Sequence, residues 1–399
     1  MSANLAALAK RWGTPLYVYD AATIEARYRA LREAFTRRVL VCYALKANSS
    51  RAVAGTLARL GAGADIVSAG ELLRARAAGF PTKKIVFSGV GKTEDEMAAG
   101  LRAGVKSFNV ESGEELDALA RVAGRLRKRA PVSIRLNPDI DPKTHPHITT
   151  GRAENKFGVE TPMALALYRR AAKDRRLRVA GLQCHIGSQI TSLAPYKRAA
   201  AAVAALSARL KGQGIPLDFA DMGGGLGISY KDETPLDPAA LARALEDAFV
   251  GQQELELLVE PGRYLVADAG LLLTTVLYRK TTSKRRFVIV DAAMTDLPRP
   301  ALYDAWHPVV VVKPRPGKKT MADVVGPVCE SGDFLARQRP LPPLERGDLL
   351  AVTKAGAYGF AMSSQYNSRP RAAEVIVEGG KARLARKRET AADLTRGER

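Results

Sequence analysis

Apolar runs of strand length alternate, over the first two thirds of the chain, with Ala-, Leu- and Arg-rich stretches that repeat with the period of a helix. Eight apolar runs follow one another: "VLVCYAL" (39–45), "ADIVS" (64–68), "KIVFSG" (84–89), "SFNVE" (107–111), "VSIRLN" (132–137), "VAGLQCHIG" (179–187), "FADMGG" (219–224) and "LELLVEPG" (255–262). These runs are apolar throughout, which indicates strands buried on both faces. Eight strand–helix units over about 225 residues have the size of a (β/α)8 barrel of the TIM type. A doubly wound open sheet is the alternative, but it rarely needs eight such even units.

The rhythm changes after residue 262, where strand-like runs follow one another with turns between them and few helices. These runs are "LLLTTVLYRK" (271–280), "RFVIVD" (286–291), "PVVVVK" (308–313), "DVVGPV" (323–328), "DLLAVTK" (348–354) and "AAEVIVEGG" (372–380). Such a pattern predicts an all-β domain, to which "PLYVYD" (15–20) adds a strand. We therefore predict a barrel over 25–262 and a β-domain formed by 1–24 and 263–399. We expect the charged tail (382–399) to be frayed.

Composition and charge narrow the class of protein. With 399 residues, 46% of them hydrophobic, the chain is long enough for two globular domains. The net charge of +21 is compatible with a protein that binds nucleic acid. However, the basic residues are scattered along helices, and no nucleic-acid-binding signature accompanies them. A solvated basic surface that attracts small anions is the simpler interpretation.

The three cysteines, Cys42, Cys184 and Cys329, are widely spaced. They suggest neither a metal cluster nor a disulfide framework, which suits a reducing compartment. The sequence lacks a signal-peptide pattern and an apolar run of membrane-spanning length. We therefore expect a cytoplasmic protein that binds neither nucleic acid nor a membrane.

Barrel enzymes carry their chemistry at the C-terminal ends of the strands. Lys46 ends the first predicted strand and His185 ends the sixth, while "DMGGGLGI" (221–228) follows the seventh and "EPGR" (260–263) ends the eighth. Four separate runs therefore bring polar or glycine-rich groups to one barrel mouth.

The glycine run suggests a phosphate site. Gly223, Gly224 and Gly225 have no Cβ, so their backbone N–H groups can approach an anion closely. Barrel phosphate sites commonly lie near the loops after strands seven and eight. A tight turn explains three glycines equally well, but the position of "EPGR" beside them favours phosphate.

A lysine next to a phosphate site suggests pyridoxal phosphate, because a desolvated amine can attack the aldehyde of this cofactor. Lys46 has that position. Glu260 could keep the ring nitrogen of the cofactor protonated, which strengthens the ring as an electron sink; a salt bridge to Arg263 is the alternative. His185 offers a flat ring to stack on the cofactor, although an isolated histidine at a strand end is more often a core residue.

Several motifs carry a family resemblance that covers nearly the whole chain. They are "YALKAN" (43–48), "CHIGSQI" (184–190), "DMGGGLGI" (221–228), "EPGR" (260–263), "RPALY" (299–303), "CESGD" (329–333) and "GAYGFAMSSQYNSRPRAAEV" (356–375). Together they resemble the diaminopimelate decarboxylases, which are fold-type III pyridoxal-phosphate enzymes related to ornithine decarboxylase and alanine racemase. The resemblance implies a barrel with a C-terminal β-domain and removal of CO₂ from meso-2,6-diaminopimelate to give L-lysine, the last step of lysine biosynthesis.

The resemblance also implies roles for single residues. In the family pattern Lys46 bonds to the cofactor aldehyde, His185 stacks on its ring and Glu260 meets its ring nitrogen. Phosphate is bound by Ser188 and by the backbone of the glycine run and of "EPGR", including Gly262. Substrate groups are assigned to Arg263, Arg299 and Tyr303. Cys329 is the candidate proton donor, Glu330 recognises the distal ammonium, and Tyr358 contacts both cofactor and substrate.

The family is dimeric, with active sites at the interface, so the resemblance implies that Cys329 and Glu330 come from the partner chain. Residues 137–158 match the family's long loop and are interpreted as covering the substrate. We expect no metal site, because His145 and His147 have no third ligand nearby in sequence. Ala293 and Thr295 stand where the family usually has glycine and asparagine, which raises the question of the loop geometry before Arg299.

Three other functions compete with this one. The first is a decarboxylase of ornithine, arginine or carboxynorspermidine, substrates that lack the distal amino-acid group. An alanine racemase needs two opposed bases, and the sequence has no obvious second-base tyrosine motif. A non-catalytic pyridoxal-phosphate carrier would lack the β-domain predicted for residues 263–399.

Overall fold

Eight parallel strands close into a barrel, which confirms the predicted (β/α)8 architecture and makes the open-sheet alternative wrong. The computed structural model describes residues 4–142, 150–151 and 154–398. The barrel strands are β2 (Val39–Ala44), β3 (Gly63–Ile66), β4 (Ile85–Phe87), β5 (Ser107–Val110), β6 (Ala130–Leu136), β7 (Leu177–Cys184), β8 (Phe219–Asp221) and β9 (Glu256–Val259). Closure comes from parallel pairing of β2 with β9, in which Val39 lies opposite Leu257.

Helices alternate with the barrel strands as predicted, with one before the first strand and one after each of the first seven. They are α2 (Ala21–Glu33), α3 (Arg51–Arg59), α4 (Ala69–Ala78), α5 (Glu94–Ala103), α6 (Gly113–Leu126), α7 (Thr161–Lys173), α8 (Leu193–Gly212) and α9 (Pro238–Ala248). Their starts are set by local capping: the side chain of Thr93 accepts the N–H of Glu96 in a reciprocal capping box at α5. The helix α4 ends at Gly79, whose φ of 98° suits a residue without Cβ.

The chain divides into two compact units, which we call the barrel unit and the sheet unit. The barrel unit comprises Ala26–Ile228 and Thr234–Tyr264, and the sheet unit comprises Met1–Glu25, Ser229–Glu233 and Leu265–Arg399. Inside the barrel, a core cluster is formed by Leu40, Cys42, Val86, Ala180, Phe219 and Leu258. The thiols of Cys42 and Cys184 are buried, as expected for packing residues, and burial raises the pKa of each.

The sheet unit is mainly a nine-stranded mixed sheet. Its strands are β1 (Leu16–Asp20), β10 (Gly270–Thr281), β11 (Arg286–Val290), β12 (Val309–Val311), β13 (Thr320–Val325), β14 (Phe334–Leu341), β15 (Leu349–Val352), β16 (Ala373–Glu378) and β17 (Lys381–Arg386). The order runs β14-β13-β11-β10-β1-β16-β17, with β15 pairing to β10 and β12. Its short helices are α1 (Leu5–Trp12), α10 (Arg263–Val266), which begins in the barrel unit, α11 (Arg299–Tyr303) and α12 (Ala391–Leu394).

Two strands of the sheet unit were not predicted. In β14, arginines and a glutamine interrupt the apolar pattern, which hid the strand. The expectation of a frayed tail was wrong for β17, which pairs antiparallel with β16. Gly379 and Gly380 connect the two strands with positive φ angles of 57° and 75°, and a two-residue turn of that kind specifies a hairpin.

Within the described part of the chain, no helix combines the length and the apolar character needed to cross a membrane. The same residues contain no group of three or more metal-binding side chains. His145 and His147, together with the rest of 143–149 and with 152–153 of the predicted covering loop, lie outside the described residues.

Candidate active site

Lys46 lies at the C-terminal end of β2, in a single 3-10 turn (Leu45–Ala47). Its Nζ atom donates a hydrogen bond to Oδ2 of Asp65, a wholly buried residue on the neighbouring strand β3. Parallel pairing of Ala44 with Asp65 brings the two residues together. The amine is therefore oriented by a buried carboxylate, a partner that sequence reasoning missed. A charged residue inside the apolar run "ADIVS" was the available signal.

Three strand ends carry buried carboxyl groups that interact with this amine: Asp65 in β3, Asp221 at the end of β8, and Glu260 directly after β9. Burial, together with the charges of Asp221 and Asp65, raises the pKa of Glu260 well above its ordinary value, and Lys46 opposes the shift. Burial also raises the pKa of Asp221 to about 6. The cluster therefore has more negative charge than one ammonium group balances.

Amide side chains orient the carboxylate of Glu260. Asn109 donates from Nδ2 to Oε1 at 3.4 Å, and Gln183 donates from Nε2 to Oε2 at 3.3 Å. The Oδ1 atom of Asp65 has no hydrogen-bond partner among the described residues, whereas the carboxyl groups of Asp221 and Glu260 hydrogen-bond to each other. A bound group with a cationic N–H would match such a surface, because buried carboxylates need a donor.

His185 is a neutral imidazole in this site. Its Nδ1 accepts the backbone N–H of Gly224 at 3.1 Å, so the ring proton lies on Nε2. Burial of this partly exposed residue, together with the positive charges of Arg135 and Lys46, lowers its pKa well below the ordinary value. Its flat face is therefore suited to stacking against an aromatic ring.

The glycine run owes its composition to close backbone approaches. A Cβ on Gly224 would lie 2.1 Å from the carbonyl oxygen of Glu260, and one on Gly225 would lie 2.4 Å from that of Gly187. Gly223 has a positive φ of 64°, and its N–H donates to Oδ1 of Asp221 at 2.9 Å. The N–H groups of Gly223 and Gly224 thus already serve Asp221 and His185, a use that the sequence did not suggest.

Ser188 and Arg263 are brought together, since Nη2 of Arg263 donates to the Ser188 hydroxyl at 3.0 Å. Gly262 lies against the Lys46 turn: a Cβ there would be 3.0 Å from Cβ of Ala47. The predicted residues of the barrel unit therefore gather around the ends of β2, β7, β8 and β9.

A buried ion pair beneath His185 was also missed by sequence reasoning. Nη1 of Arg135 lies 2.9 Å from Oε1 of Glu111, and both side chains are almost fully buried. Nη2 of Arg135 also donates to the carbonyl oxygen of His185 at 3.5 Å. The signal was an arginine inside the apolar run "VSIRLN", because a buried charge requires a partner.

The remaining predicted residues lie on three loop segments of the sheet unit. The first (292–303) leads into α11 and carries Arg299, which is buried, and Tyr303, which is partly exposed. The second (326–333) carries Cys329 and Glu330, both exposed. The third (356–368) carries Tyr358, whose φ is 56°.

Hydrogen bonds join these three segments. Asp333 accepts the N–H of Met294 at 2.6 Å through Oδ1 and that of Val328 at 2.7 Å through Oδ2. Asn367 accepts the N–H of Cys329 at 2.9 Å through Oδ1, and the hydroxyl of Tyr366 hydrogen-bonds to Glu330. The candidate substrate residues of this unit therefore belong to one connected network.

Ala293 and Thr295, the two residues that differ from the family pattern, are compatible with the backbone conformation of the first segment. Ala293 is buried and is not among the described residues with a positive φ, so this position does not require glycine. The carbonyl oxygen of Thr295 accepts the N–H of Ser364 at 3.0 Å. The backbone of Thr295 therefore links the first segment to the third.

Comparison with known proteins defines the class first. Residues 21–267 match the family model of the pyridoxal-binding domain of pyridoxal-dependent decarboxylases. The barrel unit suits this cofactor: Lys46 supplies an amine, His185 a neutral flat ring, and the carboxyl cluster around Glu260 a place for a protonated ring nitrogen. The cofactor of this chain is pyridoxal 5'-phosphate.

Full-length relatives then define the family more narrowly. Diaminopimelate decarboxylase of Pseudomonas aeruginosa is 54% identical over 99% of this chain and 95% of its own length, and that of Aquifex aeolicus is 48% identical over 97% and 92%. The crystal structure of diaminopimelate decarboxylase from Helicobacter pylori complexed with L-lysine has a TM-score of 0.96, 45% identity and 98% coverage of both chains. The chain belongs to the diaminopimelate decarboxylase family.

Proposed function

We propose that this enzyme decarboxylates meso-2,6-diaminopimelate to L-lysine and CO₂ with pyridoxal phosphate, as the last step of lysine biosynthesis. The observation that carries the proposal is full-length similarity to diaminopimelate decarboxylases, one of which has been crystallised with L-lysine. The sheet unit adds support, because it supplies a buried cation, Arg299, and an exposed anion, Glu330, the two charges that a substrate with a distal carboxylate and ammonium requires.

Lys46, His185 and Glu260 are assigned to the cofactor. Lys46 forms the covalent bond to its aldehyde, His185 lies against its ring, and Glu260 faces its ring nitrogen. Bound pyridoxal phosphate supplies an electron sink for the electron pair that remains when CO₂ leaves. The excess of carboxyl groups around Glu260 favours a protonated ring nitrogen, because a cation there relieves their mutual repulsion.

The phosphate and substrate assignments follow the same motifs. Ser188, with the backbone of the loop Gly223 to Gly225 and of Gly262, binds phosphate, and Arg263 supports this end through its hydrogen bond to Ser188. Gly223 and Gly224 contribute by shaping the loop, since their N–H groups donate to Asp221 and His185. Arg263 also contacts the substrate, and Tyr358 contacts both substrate and cofactor. Arg299 and Tyr303 bind the distal carboxylate.

On the remaining substrate end, Glu330 binds the distal ammonium. Cys329, whose thiol is exposed, donates the proton that replaces CO₂.

The assembly and the location are further parts of the proposal. We propose a homodimer in which Cys329 and Glu330 act in the partner's site, with the barrel over 25–262 carrying the cofactor and the β-domain carrying substrate and dimer contacts. We also propose a cytoplasmic location, which three unpaired cysteines support.

The test is CO₂ release from meso-diaminopimelate, ornithine, arginine and carboxynorspermidine, with kcat/KM measured for each. We expect meso-diaminopimelate to exceed the others by about tenfold to several hundredfold, because each leaves a charged pocket group unpaired. Equal turnover of ornithine would assign the enzyme to the polyamine-type decarboxylases instead. Interconversion of alanine enantiomers without CO₂ release would indicate a racemase, and binding of the cofactor without turnover a carrier.

The same preparation tests Lys46. Borohydride should fix the cofactor on the peptide that contains Lys46, and Lys46→Ala should lose both the label and CO₂ release. Lys173→Ala, which alters an exposed lysine on α7, is the control and should keep both. A labelled peptide from another part of the chain would refute the assignment.

A further inference from the structure

Arg299 is held by a histidine that the proposed function has not used. Nη1 of Arg299 lies 2.7 Å from Nε2 of His307, and both residues are buried. Nδ1 of His307 lies 3.0 Å from the carbonyl oxygen of Thr353. His307 follows α11 by four residues, so the chain turns back to bring its imidazole against the residue that begins the helix.

The chemistry of the partners determines where the ring proton is. A backbone carbonyl can only accept, so Nδ1 of His307 carries the hydrogen and donates it to Thr353. Nε2 then has a lone pair and accepts the N–H of Arg299. The imidazole is neutral in this arrangement, and its tautomer is fixed by the bond that it makes to the backbone.

An aromatic ring restrains the same guanidinium from another side. The central carbon of the Arg299 guanidinium lies 4.5 Å from the ring centroid of Tyr230, which suits a cation–π contact. The rings of Tyr230 and His307 meet edge to face, with centroids 5.3 Å apart and an angle of 73°. Tyr230 and His307 therefore form two walls of one pocket around the guanidinium.

A neutral acceptor has a specific advantage here. A carboxylate in the place of His307 would orient the guanidinium but would also neutralise its charge. Imidazole orients the guanidinium without adding negative charge, so Arg299 keeps its attraction for an anionic ligand group.

We propose that His307 is a positioning residue that orients Arg299 toward the distal carboxylate of the substrate and so contributes to the preference for diaminopimelate over diamino acids that lack this carboxylate. The proposal rests on the proposed function, in which Arg299 meets that carboxylate. His307 itself touches neither substrate nor cofactor in this role.

Two amide variants separate the two bonds of His307. In His307→Gln, the side-chain oxygen can replace Nε2 as the acceptor for Arg299. In His307→Asn, the shorter amide can replace Nδ1 as the donor to Thr353 but leaves Arg299 without this acceptor. The two substitutions are similar in polarity, so each is the control for the other's general effect on folding.

We expect His307→Asn to raise KM for meso-diaminopimelate by about ten- to a hundredfold with a much smaller change in kcat, and His307→Gln to stay within about threefold of the parent. Residual decarboxylation of ornithine, which lacks the distal carboxylate, should be the same in all three proteins. In an Arg299→Ala background, His307→Asn should have little further effect, because the interaction is already lost.

Several results would overturn the proposal. These are an unchanged KM in His307→Asn, a fall in kcat alone, or a His307→Gln protein as impaired as Arg299→Ala. If His307→Asn does not fold, the comparison of His307→Gln with Arg299→Ala still decides. Failure of the parent enzyme to decarboxylate meso-diaminopimelate would instead contradict the proposed function, so the two failures are distinguishable.

Discussion

The buried carboxyl groups of this molecule differ in what they affect: some belong to the proposed cofactor site, and one, Asp296, affects mainly the stability of the fold. Asp65 accepts a hydrogen bond from Lys46 and Glu260 accepts one from Asn109, and both carboxyl groups belong to the proposed cofactor site. Asp296 has another position, in the turn before Arg299: its Oδ2 accepts the N–H of Ala293 at 3.0 Å, and its own carbonyl oxygen accepts the hydroxyl of Tyr17 at 2.7 Å. Burial raises the pKa of Asp296 to about 7.

The raised pKa of Asp296 makes stability depend on pH. The folded state holds the Asp296 proton more tightly than the unfolded chain, whose ordinary pKa is 3.8, so this residue stabilises the fold at low pH and its contribution is lost as pH rises from about 4 to about 7. Asp296→Asn keeps an acceptor for Ala293 without a charge. We expect its urea-unfolding free energy to exceed that of the parent by a margin that grows over this range, to about 2–4 kcal/mol above pH 7.

The exposed residue Asp95 supplies the control for this measurement. Asp95→Asn should leave the pH dependence of stability close to that of the parent. An Asp296→Asn protein whose stability falls with pH as steeply as that of the parent would show that another group causes the dependence.

At the scale of elements, Asp333 connects two segments that lie far apart in sequence. Its two carboxylate oxygens accept the N–H groups of Met294 and Val328, which lead to Arg299 and to Cys329. An amide at this position has one acceptor oxygen, so Asp333→Asn leaves one buried N–H facing an NH₂ group. We expect the unfolding free energy to fall by about 1–3 kcal/mol and kcat/KM for meso-diaminopimelate by about tenfold, while the cofactor absorbance is kept.

Asp232→Asn is the matched control for Asp333, since Asp232 is an exposed residue of the same unit. It should change neither stability nor turnover. If Asp333→Asn lost cofactor binding and turnover together, or lost neither, its role as a link between substrate segments would be contradicted.

The elements differ in how far the sequence predicts them. All eight barrel strands and the helices that follow them could be predicted, because strands buried on both faces are apolar runs and amphipathic helices repeat every 3.6 residues. The strand β14 could not, since its charged side chains conceal its buried face. The same distinction applies to the site: Lys46, His185 and Glu260 stand in recognisable motifs at strand ends.

The supporting residues could not be found in this way. The hydrogen bonds of Asp333 span 39 residues to Met294, and the bond from His307 to Thr353 spans 46 residues. The spacing of residues along the chain does not predict such contacts, because they depend on how turns and sheet pairings bring separate segments together. Asp65 can be noticed in the sequence as a charged residue in an apolar strand, but its partner cannot, because Lys46 and Asp65 come together only through the pairing of β2 with β3.

For the whole molecule, the exposure of Cys329 and Glu330 bears on assembly. A proton donor and an ammonium-binding carboxylate act best where water is excluded, because electrostatic interactions are stronger there. Both residues are exposed in the single chain, yet Asn367 and Tyr366 hold this segment in a defined conformation. An ordered segment that presents reactive groups outward is what an active site shared between two subunits requires.

Mixing two inactive variants tests this arrangement. Lys46→Ala lacks the cofactor lysine and Cys329→Ala lacks the proton donor, so each homodimer should be inactive or nearly so. If Cys329 acts in the partner's site, a hybrid dimer contains one site with both residues intact and one site that lacks both. Random exchange of equal amounts makes half of the dimers hybrids, so we expect recovery of up to about a quarter of the parent activity.

Exchange must be measured in the same sample, for example with subunits that carry different tags, and mixtures of each variant with itself are the control. Exchange without recovered CO₂ release would mean that each chain supplies its own Cys329, and the shared-site arrangement would then be wrong even though the chemistry assigned to Lys46 and Cys329 could stand.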